Sequence, residues 1–249
     1  MDAVILAGGR GRRLAPYTVC FPKPLVPVGQ MPILEIVLRQ LAAAGCRRAT
    51  LAVGYLAELI IAYFGDGKQL GLEIRYSRED EPLGTVGPLT LLDGLPEHFL
   101  VMNGDVLTTL DYAALFAAHK ASGAELTIAC YRCQNHVDLG VVEFDGQLRV
   151  TGYREKPTVQ YDASMGIYVF RRSALDLVEP GTYRDFPDLV QSMLLHHRPV
   201  KAHIVDCLWL DVGRRDDYER AIDLVERNPN LFYPENAHAA SGPEVRAAS

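Results

Sequence analysis

The apolar run Ala3 to Leu6 breaks into Ala7-Gly8-Gly9-Arg10-Gly11-Arg12-Arg13-Leu14, and this junction constrains the fold more than any other segment. A short apolar run that stops at glycines is a buried strand. Three near-consecutive glycines after it leave backbone N–H groups open with no side chain in the way, the geometry a polyphosphate asks of a loop. Arg12, Arg13 and, shortly after, Lys23 of Phe21-Pro22-Lys23-Pro24-Leu25 add fixed positive charge. The charges of a triphosphate must be neutralised before a nucleophile can approach it, so loop and cations together point to phosphoryl or nucleotidyl chemistry.

Counting disposes of two better-known glycine motifs. The dinucleotide fingerprint needs a third glycine for close helix packing, where this chain has Leu14. A P-loop needs Gly, four residues, then Gly-Lys-Ser/Thr, and no stretch supplies it.

The first half of the chain alternates short apolar runs with helical patterns. Strands are expected over Ala3 to Leu6, Ala49 to Val53, Leu72 to Tyr76 and Phe99 to Met102. Helices are expected over Pro32 to Ala44, Ala57 to Phe64, Thr85 to Leu92 and Tyr112 to Ser122. Ile33, Leu34, Val37, Leu38 and Leu41 make one apolar face, with Pro32 suited to a first turn and Gly45 to a stop. Such alternation argues for right-handed βαβ units. In the second half strands follow one another: Leu126 to Arg132, Val141 to Phe144, Leu148 to Tyr153 and Met165 to Phe170, with Asp145-Gly146 a hairpin signal. Helices around Pro187 to His196 and Asp216 to Glu226 cover the later strands.

The expected fold is therefore α/β, a Rossmann-like, mostly parallel mixed sheet with helices on both faces. It forms one domain over 1–233, with a nucleotide half (about 1–123), a sugar-phosphate half (about 124–233) and a loosely ordered tail (234–249). A length of 249 residues with 49% hydrophobic content can fill such a core. No apolar run approaches the roughly 20 residues of a membrane span, and no basic segment leads into a signal-type core, so a cytoplasmic protein without a membrane partner is expected. A formal charge of -6 disfavours nucleic acid and favours a small anionic substrate. Of five cysteines, Cys130 and Cys133 form a lone C-x-x-C on a strand, which reads as packed thiols rather than half of a zinc site. His196-His197 read as partly exposed helix residues.

Ligands of open parallel sheets gather at the carboxyl ends of strands. Besides the glycine loop, Met102-Asn103-Gly104-Asp105 and Trp209-Leu210-Asp211-Val212-Gly213 sit at such points. Asp105 and Asp211 suit one hard divalent cation bridging phosphate oxygens; singly, each also suits a helix cap or a turn. In Tyr153-Arg154-Glu155-Lys156-Pro157 the Lys suits a phosphate and the Glu a sugar hydroxyl, or the two form a surface ion pair.

Taken in order, Leu6 to Leu14, Pro22-Lys23-Pro24-Leu25, Pro82-Leu83-Gly84-Thr85, Asn103-Gly104-Asp105, Glu155-Lys156-Pro157, Gly166-Ile167-Tyr168 and Trp209 to Gly213 resemble the sugar-phosphate nucleotidylyltransferases. Within that family the chain is most similar to the mannose and heptose 1-phosphate guanylyltransferases. The resemblance implies that a sugar 1-phosphate is joined to a nucleoside triphosphate with release of pyrophosphate and with Mg²⁺, and that the chain can form a homo-oligomer. It implies that Arg13 and Lys23 neutralise the triphosphate, that Asp105 and Asp211 hold the metal, and that Lys156 grips the sugar phosphate. It further places Leu6, Ala7, Gly8, Gly9, Gly11, Arg12, Glu79, Glu81, Gly84 and Thr85 on the nucleotide, and Asn103, Gly104, Gly140, Glu155, Ser164 and Gly166 on the sugar phosphate. Two positions depart from the pattern: Arg12 stands where the family commonly has Thr or Ser, and Ser164 where it often has Asn.

Glu79-Asp80-Glu81 should lie near the base, where a carboxylate accepts from guanine N1–H and N2–H, or else forms a solvated acidic loop. GTP is thus the expected donor, with a thymidylyl-, uridylyl- or cytidylyltransferase as the alternative, and a noncatalytic nucleotide-sugar-binding homologue as another. No hexapeptide repeat follows Glu226, so a second, acyl-transfer activity is not expected.

Overall fold

The computed structural model describes residues 1–79 and 81–232; the expected tail over 234–249 lies outside the described residues. Its centre is a seven-stranded sheet. In chain order the sheet strands are β1 (Asp2–Ala7), β2 (Arg48–Val53), β3 (Glu73–Arg78), β4 (His98–Asn103), β6 (Leu126–His136), β9 (Thr158–Arg171) and β10 (Val200–Val205). Strand β5 (Val106–Thr108) pairs outside the sheet with β11 (Trp209–Asp211), and β7 (Val141–Phe144) pairs with β8 (Val150–Arg154) in a hairpin. Five α-helices matter here: α1 (Ile33–Ala43), α2 (Ala57–Phe64), α3 (Tyr112–Ser122), α4 (Phe186–Leu195) and α5 (Arg215–Arg227).

The sheet order is β10-β6-β9-β4-β1-β2-β3. All neighbours run parallel except β9, which is antiparallel to both β4 and β6. The chain leaves β1 toward β2 on one side and comes back to β4 on the other, so a crevice opens between the carboxyl ends of β1 and β4, the place where this topology receives ligands.

Side-chain alternation along β1 divides the core. Ala3, Ile5 and Ala7 pack with Leu34, Val37, Leu38 and Leu41 of α1 on one face, and Val4 packs with Val101, Phe170, Phe186 and Leu189 on the other. Helix α1 buries the expected face and halts before Gly45, whose φ of +83° a residue with a Cβ rarely adopts. Helix α3 starts at Asp111, whose carboxylate accepts from the Ala114 N–H at 2.9 Å.

Several elements differ from the sequence expectation, the short strands β5 and β11 among them. The segment Thr85 to Leu92 is a short 3-10 helix over Gly87–Leu91, with the Val86 and Gly87 N–H groups donating to the Arg184 carbonyl at 2.9 and 3.2 Å. Strand β9 reaches back to Thr158, since its polar amino-terminal half pairs with the extended end of β6 away from the core. Strand β10 was not expected. Its alternation is carried by partly exposed residues at the edge of the sheet, so periodicity marks it poorly.

A buried polar chain joins this core. His119 of α3, 1% exposed, lies 3.0 Å from His98 and 2.8 Å from the Thr127 hydroxyl. Burial, then the charge of His98, lowers the His119 pKa from 6.5 to about 4. The folded protein thus favours the neutral ring, whose contribution is complete above pH 6.5 and lost as pH falls toward 4. We expect urea denaturation to show about 2 to 3 kcal/mol less stability near pH 4 than near pH 7 from this group. His119→Gln, which has a donor and an acceptor for both neighbours, should remove that part of the pH dependence.

Candidate active site

The carboxyl ends of β1, β2 and β4 open into a cleft of about 880 Å³. Of the sequence-expected nucleotide residues, Leu6, Ala7, Gly8, Gly9 and Arg12 line it from the first loop, and Glu79, Glu81, Gly84 and Thr85 from the loop after β3. Lys23, Asn103, Gly104 and Asp105 line its inner wall.

The glycines have separate physical reasons. A Cβ on Gly8 would lie 3.1 Å from a Glu79 carboxylate oxygen and 3.4 Å from the Gly54 nitrogen, so the first two loops interlock there. Around Gly9 there is open space. Gly11 has φ of +60°, and a Cβ would meet the Lys23 side chain at 2.9 Å, while the Gly11 carbonyl accepts from the Thr18 hydroxyl at 2.8 Å. The N–H groups of Gly9, Arg10, Gly11 and Arg12 donate to no other described residue. Four donors held by a fixed turn are thereby left for an anion.

Cations and carboxylates converge beside this loop. Lys23, 8% exposed, forms an ion pair with Asp105. The Asp105 carbonyl accepts from the Val212 N–H at 3.1 Å, and Asp211 lies opposite Val106 across the β5–β11 pairing, so the two aspartates are neighbours though 106 positions apart in sequence. A Cβ on Gly213 would lie 3.6 Å from the Arg13 guanidinium and 3.6 Å from both Asp211 oxygens. Burial, then the Asp105 charge, raises the Asp211 pKa, while Lys23 and Arg13 pull it down. Asp105 and Asp211 are the pair able to hold a hard divalent cation. Among the described residues no third His, Cys, Asp or Glu joins them, which suits an ion that takes one or two carboxylates and completes its shell with phosphate oxygens and water.

The remaining expected residues lie elsewhere. Gly166, φ +72°, sits against Asn103, whose amide nitrogen would be 2.6 Å from a Cβ there, so Gly166 adjoins the cleft through Asn103, while Ser164 does not line it. The Ser164 hydroxyl donates to the Tyr168 hydroxyl at 3.3 Å. Gly140, Glu155 and Lys156 stand on the exposed β7–β8 arm and do not line the cleft. Lys156, held at φ of 43°, lies 3.4 Å from the Asp138 carboxylate. Gly84 and Thr85 also brace the loop: a Cβ on Gly84 would lie 2.6 Å from the Arg184 carbonyl, and Thr85 binds Asp185 through its N–H at 3.1 Å.

Sequence reasoning missed Arg10, Tyr55, Arg78 and Tyr183, which also line the cleft. Arg10 lies over the Tyr55 ring at 5.7 Å. Tyr55 follows the apolar end of β2 by two residues, and the rule that singled out Asn103 and Asp211 would have found it. Nothing in the sequence signals Tyr183.

The chain belongs to the nucleotidyl transferase family, whose model it matches over residues 2–228. It is 37% identical over 234 residues to a mannose-1-phosphate guanylyltransferase of Mycobacterium tuberculosis, covering 90% of this chain and 65% of that protein. A UTP--glucose-1-phosphate uridylyltransferase of Synechocystis is 33% identical over 246 residues, covering 89% and 62%. The chain thus spans less than two thirds of the length of these relatives. The crystal structure of HddC from Yersinia pseudotuberculosis complexed with GMP-PN has the same fold, with a TM-score of 0.68, 24% identity, and coverage of 90% of this chain and 98% of that one. No helix among the described residues is long and apolar enough to cross a membrane.

The raised pKa of Asp211 means that its ionised form is held at a cost in the free protein. Above the ordinary carboxylate range that cost opposes folding. Asp211→Asn should therefore raise the melting temperature slightly in metal-free buffer near pH 7. A melting temperature lowered by the substitution would contradict this account.

Proposed function

We propose that this protein transfers a nucleotidyl group from a nucleoside triphosphate, GTP by preference, to a sugar 1-phosphate, with Mg²⁺ and with release of pyrophosphate. The observation that carries the reading is the meeting of Arg13, Lys23, Asp105 and Asp211 beside a turn whose N–H groups are free. That the Mycobacterium and Synechocystis relatives are named for this reaction type supports it.

In the proposed reaction an oxygen of the sugar phosphate attacks the α-phosphorus of the triphosphate, and the α–β anhydride bond breaks as pyrophosphate leaves. The sugar phosphate is already ionised near neutral pH, so no side chain has to take a proton. Catalysis then rests on alignment and charge stabilisation. The N–H groups of residues 9–12 and the side chains of Arg12, Arg13 and Lys23 bind the triphosphate and stabilise the charge that grows on the leaving pyrophosphate. Asp105 and Asp211 would hold Mg²⁺, which would supply positive charge to screen the phosphate oxygens. Lys156 and Glu155, on the arm, receive the phosphate and a hydroxyl of the acceptor.

The two relatives use different bases, so the donor is argued from Glu79. Burial raises its pKa, and the Leu83 N–H, bound to Oε2 at 2.9 Å, lowers it. The other oxygen faces Gly8 at the cleft wall. A carboxylate fixed in this way accepts from guanine N1–H and N2–H, whereas thymine or uracil offers a single ring N–H beside two carbonyls that a carboxylate repels.

Pyrophosphate release should be greatest with GTP and mannose 1-phosphate or a heptose 1-phosphate, and should depend on Mg²⁺. Release with no pair of triphosphate and sugar phosphate would point instead to a binding protein. Asp105→Asn and Asp211→Asn should each lower kcat by about a hundredfold or more while the protein stays folded by circular dichroism. Glu79→Gln should shift the kcat/KM ratio of GTP over UTP by about tenfold or more toward UTP. Unchanged base selection would exclude Glu79 as the reader.

A further inference from the structure

The β7–β8 arm carries a contact that the roles given to Glu155 and Lys156 leave unexplained. Across the hairpin Tyr153 lies opposite Val142 and Arg154 opposite Val141. Strand alternation puts Gly140 and Val142 on the same face as Tyr153 and Glu155. The Tyr153 ring leans toward Gly140 and lies so close that a Cβ there would be 2.1 Å from the phenol oxygen and 2.5 Å from the carbon that bears it. From this position the phenol donates to Glu155 Oε2 at 2.8 Å. Two loops are joined at the same place, since the Val137 N–H donates to the Pro157 carbonyl at 3.0 Å and Lys156 pairs with Asp138 at 3.4 Å.

We propose that Tyr153 is a positioning residue for the sugar-phosphate acceptor: its phenol fixes the Glu155 carboxylate against the bare backbone of Gly140, so that the other carboxylate oxygen is aimed at an acceptor hydroxyl. The proposal rests on the reading that Glu155 meets the acceptor. Glu155 is an exposed side chain on a projecting arm, and without a partner it would sample several rotamers. A hydrogen bond from a phenol selects one rotamer and leaves Oε1 with both lone pairs. Gly140 gains a reason of its own, because any side chain there would take the volume that the phenol occupies. The ring is 63% exposed, and its open face gives a flat apolar surface beside the carboxylate, as the C–H face of a pyranose requires. The hydroxyl stays protonated near neutral pH, since the hydrogen bond it donates to Glu155 raises its pKa above the ordinary phenol value.

The test uses the full chain with Mg²⁺, GTP and mannose 1-phosphate, read as pyrophosphate release. Tyr153→Phe keeps the ring and removes the donor. We expect the KM for the sugar phosphate to rise on the order of tenfold, with the KM for GTP and kcat within about twofold of the parent values. Gly140→Ala, which pushes the phenol away from the carboxylate, should reproduce the effect. In a Glu155→Gln background Tyr153→Phe should add less than about twofold, because the group it aims has been altered. A KM for the sugar phosphate unchanged by Tyr153→Phe overturns the proposal. So does an equal rise in both KM values, or a full effect that persists without Glu155. Failure of the unsubstituted protein to release pyrophosphate with any pair overturns the parent reading instead.

Discussion

The pairing of β5 with β11 holds the proposed centre together. Leu210 faces Leu107 across this two-stranded ribbon, and both are buried in a cluster with Leu14, Val26, Ile33, Val212, Tyr218 and Val225. Closing a loop of this length costs about 4 kcal/mol of chain entropy. Burial of even two leucine-sized side chains offsets a cost of that order. The same cluster contains Leu14, which ends the glycine turn, Val26, two residues after Pro24, and the apolar face of α5. Apolar packing therefore brings four charged side chains to one place, where desolvation and the repulsion between the two aspartates oppose the approach.

That arrangement has an electrostatic cost that binding can relieve. Asp105 and Asp211 repel each other, and burial adds to the penalty on Asp211. Lys23 and Arg13 compensate in part. A divalent cation together with anionic phosphates would pair every one of these charges, so the groups that are least comfortable in the free protein are those the proposed substrates satisfy. The arm is built on another principle. Its contacts are between exposed polar side chains, the Tyr153 phenol with Glu155 and Lys156 with Asp138.

The parallel half of the sheet was readable because β1, β2 and β4 are nearly continuous apolar runs, and α1 shows an apolar stripe at 3.6-residue spacing. Strand β10 and the polar beginning of β9 were not, because their pairing is fixed by neighbours in the sheet rather than by their own pattern. The 3-10 segment over 87–91 resembles an amphipathic helix in sequence, and its start is tied to the Arg184 carbonyl, almost a hundred positions away.

For the candidate site the division is similar. Sequence alone determined which residue types are present and in what order: glycines after a buried strand, cations beside them, and an aspartate at the carboxyl end of each of two strands. Those are local facts, set by covalent neighbours and periodicity. Only the tertiary structure decided that Asp105 touches Lys23 and stands beside Asp211, that Gly84 serves the Arg184 backbone, that Tyr183 reaches the cleft, and that Gly140 makes room for a phenol. Each of these depends on long-range packing of apolar surface, whose partners cannot be assigned from a single linear pattern because burial is non-directional and accepts many pairings until the whole core is filled.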